Sequence, residues 1–179
     1  MERTCSAELP LSARRSALDI ALAPEATTGH YALVTASGGF GSEIRLSGPT
    51  GASVVIGDGV EPFHDGYDFV DIWMSIVADG LTARTLVRSV EGASPLSLHR
   101  FLRELADDWK GELPDRQWEA IEHGLTIDAR RDAVGHVLLT FSLRESYRPD
   151  AWLARVTVQL DAGEEMTSLA TEVERLLRG

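Results

Sequence analysis

From residue 43 onward the chain is dominated by apolar positions recurring every second residue. In residues 69–76, Val70, Ile72, Met74 and Ile76 alternate with Phe69, Asp71, Trp73 and Ser75. Successive side chains of an extended strand point to opposite faces, so this segment reads as a strand with one buried face. Asp79-Gly80 is a two-residue turn composition, and residues 81–90 supply the return strand of a long hairpin. Upstream, 43–46 and 53–56 are short strands joined through Ser47-Gly48-Pro49-Thr50-Gly51, and 58–67 is a polar loop. Downstream, Leu125, Ile127 and Ala129 pair through Arg131-Asp132-Ala133 with a strand whose Val137, Leu139, Phe141 and Leu143 share a face. After Arg148-Pro149-Asp150, the positions Trp152, Ala154, Val156, Val158 and Leu160 alternate most cleanly. A slip of one residue there would expose all five.

Two segments change period. Leu98, Phe101, Leu102, Leu105, Ala106 and Trp109 follow the i, i+3, i+4, i+7 spacing of one helix stripe. Ser94-Pro95 supplies a cap residue and a first-turn proline, and Gly111 a stop. Met166, Leu169, Ala170, Val173, Leu176 and Leu177 form a second stripe, begun by Asp161 as N-cap with Glu164 three residues later. Residues 113–122 fit either a helical turn at Pro114-Asp115 or a strand through Trp118 and Ala120.

The pattern predicts an α+β domain over 43–179, mainly antiparallel sheet with two amphipathic helices packed on it, in the order β-β-β-β-α-β-β-β-α. Trp152, Val156, Val158 and Leu160 are expected to face the helices, opposite Leu102, Leu105, Leu169 and Val173. Residues 1–42 read as a weakly ordered extension, with one strand allowed by Leu18, Ile20 and Leu22.

Composition narrows the function classes. With 44% hydrophobic and 25% charged residues the chain is ordinary globular material, and no apolar run approaches the roughly 20 residues of a membrane-spanning helix. Arg14-Arg15 and the apolar stretch after them imitate an export signal, but Asp19 interrupts it. A single cysteine, Cys5, leaves no disulfide framework, so the reducing cytoplasm is the expected compartment. The net charge of −11 repels nucleic-acid phosphates and favours a basic protein partner.

Motifs for chemistry are sparse. Glu61, His64, Asp65 and Asp68 are ligand types gathered in the 58–68 loop, which keeps an enzyme or ion-binding domain as the alternative reading, yet their spacing matches no metal signature. The five histidines do not pair on one element, no nucleophile elbow is present, and the glycines at 38, 39 and 41 precede a strand with no lysine. No catalytic residue, metal or cofactor is assigned, and neither bound metal nor hydrolytic activity is expected. Acids are concentrated instead: six between Asp58 and Asp79 with no Lys or Arg, and seven between Glu104 and Glu122 against Lys110 and Arg116. Trp73, on the less apolar side of its strand, and Trp118 are the better candidates for surface rings, with ordinary packing as the alternative. Asp65, Asp68, Trp73, Asp108, Asp115 and Trp118 together form the expected partner-binding set.

Phe101-Leu102-Arg103-Glu104-Leu105, Trp118, Gly135-His136-Val137-Leu138-Leu139, Trp152 and Ala162-Gly163-Glu164-Glu165-Met166, in this order, resemble an actinobacterial family of uncharacterised small proteins. More loosely the chain is similar to WapI-type immunity proteins of bacterial toxin systems. The resemblance covers about three quarters of the chain, from Ile44 to the end, and rests on packing and turn residues. It implies a non-enzymatic protein that binds and neutralises a toxin, and it transfers no site residue.

Overall fold

A computed structural model describes residues 32–38, 41–48, 51–63, 69–92, 94–108, 115–146, 148 and 150–178, with the backbone alone at 32–38, 41, 42 and 58–63. The period-two segments are strands. β1 (Ala32–Gly38), β2 (Gly41–Ser47), β3 (Ser53–Phe63), β4 (Phe69–Ala78) and β5 (Leu81–Val90) lie side by side in chain order as one antiparallel sheet. β6 (Arg116–Glu119), β7 (Leu125–Arg131), β8 (Val137–Arg144) and β9 (Leu153–Leu160) form a second. Helix α1 (Leu98–Asp107) follows the first sheet and α2 (Glu164–Arg178) the second. Each half is thus a meander closed by a helix, the α+β architecture that the periodicities require.

Two strands were not expected, and they correct the element order to β-β-β-β-β-α-β-β-β-β-α. β1 falls inside the segment read as an extension, where it pairs with β2 along its whole length; the strand allowed at 18–22 lies outside the described residues. β6 resolves the ambiguity of 113–122 as a strand, by pairing with β7 from Arg116↔Ala129 to Glu119↔Thr126.

The buried faces are those the alternation marks. Val70, Ile72, Met74 and Ile76 of β4 and Ala154, Val156, Val158 and Leu160 of β9 are all buried, as are Leu102, Leu105, Leu169 and Val173 of the helices. They belong to one continuous core. Within it α1 packs on α2, α2 lies against β2 and β3, and β9 approaches β3 and β4. β9 thus comes close to the first sheet, whereas the expectation named only the helices as its partners. Burying each large apolar side chain contributes about 1.5–3 kcal/mol, the term that holds a short helix such as α1 in place. Arg103 adds a 2.8 Å hydrogen bond to Glu174 between the helices, and this bond holds the Glu174 carboxyl below its ordinary pKa.

The helix starts differ from the expected ones by a few residues. The N-cap of α1 is Ser97, whose hydroxyl accepts from the Arg100 N–H. Ser94 instead accepts from the Leu96 N–H in the preceding turn. At α2 it is Glu165, and not Glu164, that reaches back to the Asp161 N–H, at 2.7 Å. The last residue of α1 is Asp107; Trp109 and Gly111 lie outside the described residues.

Candidate functional site

The outward face of the β4/β5 hairpin carries an exposed ring, Trp73, among polar neighbours. The same alternation that buries Ile72 and Met74 turns Asp71 and Trp73 outwards, and antiparallel register sets Trp73 opposite Leu86 and Asp71 opposite Arg88. Trp73 and Leu86 are each 38% exposed in mid-strand. Arg84, diagonal to Trp73 across the ladder, lays its guanidinium 4.2 Å from the indole centroid. Stacking of this kind is worth about 0.5–1 kcal/mol at an exposed site and fixes both side chains in one orientation.

Backbone geometry singles out the same residue. β3 pairs Ile56 with Met74 and then Gly59 with Ile72, so Gly57 and Asp58 together stand opposite Trp73. This is a β-bulge, a device that re-aims a side chain and that concentrates next to functional sites. A methyl group at Gly57 would come within 3.3 Å of the Trp73 carbonyl oxygen and 3.4 Å of its Cβ, so glycine is what permits the close approach. A second irregularity follows between Val60 and Phe63, around Pro62. Proline is at home in a bulge because no ladder N–H is required there.

Charge around this face is held by internal pairs. Arg88 grips both oxygens of Asp71, at 2.7 and 2.8 Å, and reaches Glu122 at 3.1 Å. Its pKa is raised by these bonds to Asp71 against a smaller opposing effect of burial. Through Glu122 the β6–β7 turn is tied to the first sheet. Ile121 in that turn is 41% exposed, and His123 takes a positive φ of 58°.

The remaining residues of the expected partner-binding set do not converge on Trp73. Of the acidic loop expected at 58–68, residues 58–63 instead continue strand β3, so Glu61 is described only as its backbone, and His64, Asp65 and Asp68 lie outside the described residues. Asp108 pairs with Arg116, which also approaches Glu104 at 3.5 Å, and Asp115 lies 3.6 Å from Arg130. Those two acids are neutralised locally. The candidacy of Trp118 as a surface ring is corrected in favour of packing: it is 4% exposed, and its indole N–H donates to the Leu96 carbonyl at 2.8 Å. An edge strand with a single inward position suffices to bury it, because that position faces the lead-in to α1.

One polar cluster escaped the sequence reading. Glu91 accepts from Ser89 at 2.8 Å and from Ser97 at 3.1 Å, and lies 2.5 Å from His99 Nδ1. Ser97 also meets that same Nδ1, at 2.7 Å. A serine–histidine–acid relay needs the serine and the acid on opposite ring nitrogens. Here both engage one nitrogen, so the cluster braces the start of α1 and activates no nucleophile. Among the described residues no group of three or more His, Cys, Asp or Glu side chains is placed to hold a metal ion. No helix among them is long and apolar enough to cross a membrane.

Residues 47–179 match the family of unknown function DUF6228. The chain belongs to this family. Strand β1 and nearly all of β2 precede the matched span of this DUF6228 member, whereas Trp73, Arg84 and Leu86 fall within it. No curated protein and no solved structure matches the chain significantly.

Proposed function

We propose that this DUF6228 member is a protein-binding domain of the cytoplasm, immunity-like in action, that engages and neutralises a basic toxin through the outward face of β4 and β5 with Trp73 at its centre. The observation that carries the reading is the half-exposed Trp73 in mid-strand, opposite Leu86, stacked by Arg84 and faced by a glycine-containing bulge. Large rigid rings beside arginine are the side chains that dominate binding energy at protein interfaces. The net charge of −11 supports a basic partner, since opposite fields raise the rate of encounter. The likeness to WapI-type immunity proteins points the same way. Asp65 and Asp68, which precede β4 in the chain, are the acids proposed to steer the partner, whereas Asp108 and Asp115 are already committed to Arg116 and Arg130.

The test is co-expression and stopped-flow association with the product of the neighbouring gene, which this reading expects to be a basic toxin. Association is expected to slow steeply with added salt while dissociation changes little. Trp73→Ala is expected to cost about 2 kcal/mol or more of affinity, and Asp65→Lys with Asp68→Lys to slow association. Absence of both protection and complex at low salt, or full affinity in Trp73→Ala, would overturn the proposal.

A further inference from the structure

β5 and β9 are edge strands of their respective sheets. Between their first residues the two sheets leave a groove of about 260 Å³, walled by Leu81, Ala83 and Thr82 on one side and by Trp152, Leu153 and Ala154 on the other, with Arg84 among its lining residues. Its walls are mostly apolar, and its size lies just below the range of about 300–1,000 Å³ usual for drug-sized ligands. It suits one ring or a short acyl chain.

The charge beside the groove is unusual for this protein. Arg88, Arg103 and Arg116, for example, hold carboxylates. Arg84 has only the Trp73 ring as a partner among the described residues, and that stack leaves its N–H edges without a carboxylate. An arginine with no carboxylate partner among the described residues, lining an apolar groove on a chain of net charge −11, describes a site complementary to a small molecule with an apolar body and one negative group.

We infer that the groove between β5 and β9 binds a small aromatic or short-chain carboxylate. The apolar body lies between Ala83, Trp152 and Leu153, and the carboxylate pairs with Arg84. The site is separate from partner binding, although Arg84 borders both, so it is tested on the full-length protein alone.

The probes are phenylpropionate, its neutral amide phenylpropionamide and the cation phenylpropylamine, each titrated at millimolar concentration while backbone amide resonances are followed by NMR. Phenylpropionate is expected to give saturable shifts concentrated at residues 81–84 and 152–154. The amide is expected to bind at least tenfold more weakly and the amine not to saturate. Arg84→Gln, an exposed position whose replacement leaves the core intact, is expected to weaken phenylpropionate at least tenfold. No saturation by phenylpropionate, equal binding of the three probes, shifts centred elsewhere, or undiminished binding to Arg84→Gln would each overturn the inference.

Discussion

Replacing the two outlying tryptophans separates a core ring from a surface one. Trp118→Ala removes a side chain that is 4% exposed and packed under the lead-in to α1. Truncation of a buried Trp to Ala costs about 3–5 kcal/mol, part of it transfer free energy and part the cavity left behind. The lost hydrogen bond adds little, because the accepting carbonyl belongs to Leu96, which is 51% exposed, and water can replace the indole N–H. Trp73→Ala forfeits the stack with Arg84 and the partial burial of a ring that is 38% exposed, together about 2 kcal/mol. With a urea m-value of about 2 kcal/mol/M, the unfolding midpoint falls by roughly 2 M for Trp118→Ala and by about 1 M for Trp73→Ala. Urea titrations of both variants, followed by far-ultraviolet circular dichroism, measure this directly. Equal midpoints for the two variants, or a fall of less than about 0.5 M for Trp118→Ala, would refute the assignment of Trp118 to the core and with it the placement of β6.

Leu105→Ala, at a fully buried position between the helices and the sheets, is expected to destabilise by about 2–5 kcal/mol, read as the same midpoint shift. For Asp132, burial pushes the carboxyl pKa up but is outweighed by hydrogen bonds from the His136 side chain and from the His136 and Val134 backbone N–H groups, so it sits below the ordinary value. A depressed carboxyl contributes stability that is present above its unfolded pKa of about 3.9 and is lost as pH falls towards the folded value. Asp132→Asn is therefore expected to lose less stability than the wild type between pH 7 and pH 3, and an equal loss in urea midpoints would count against the turn geometry. Because Asp108 and Asp115 pair at the surface with Arg116 and Arg130, their replacement by Ala is expected to change stability by no more than about 1 kcal/mol and to leave partner association unchanged, which the stopped-flow assay reads.

Much of the fold is legible in local pattern. Val70 to Ile76 and Ala154 to Leu160 declare their buried faces by alternation, Leu98 to Ala106 and Met166 to Leu177 declare helices by spacing, and Asp79-Gly80 marks its turn, with Gly80 at a φ of 71°. These features arise from side-chain direction along one element, so no distant residue is needed to establish them. Trp73 was recognisable as a surface ring for the same reason, since the residue before and the residue after it are both core.

What lay beyond local pattern depended on which segments meet. Four residues at 116–119 have too few positions for a period, and only pairing with β7 makes them a strand and sends Trp118 inward. Ser94 and Ser97 are equally good cap residues by type, and the contacts of Ser97 with Glu91 and His99 accompany the cap at the later one. The acids at 108 and 115 looked free because their arginines are 8 and 15 positions away. The bulge opposite Trp73 shows in sequence only as Gly57-Asp58-Gly59, a composition that fits an ordinary loop equally well. The groove between β5 and β9 joins residues about seventy positions apart and exists because two separately formed sheets meet at their edges. Periodicity reports which side of an element is apolar, but partner choice, pairing register and cavities are properties of two surfaces at once, and only the packed chain decides them.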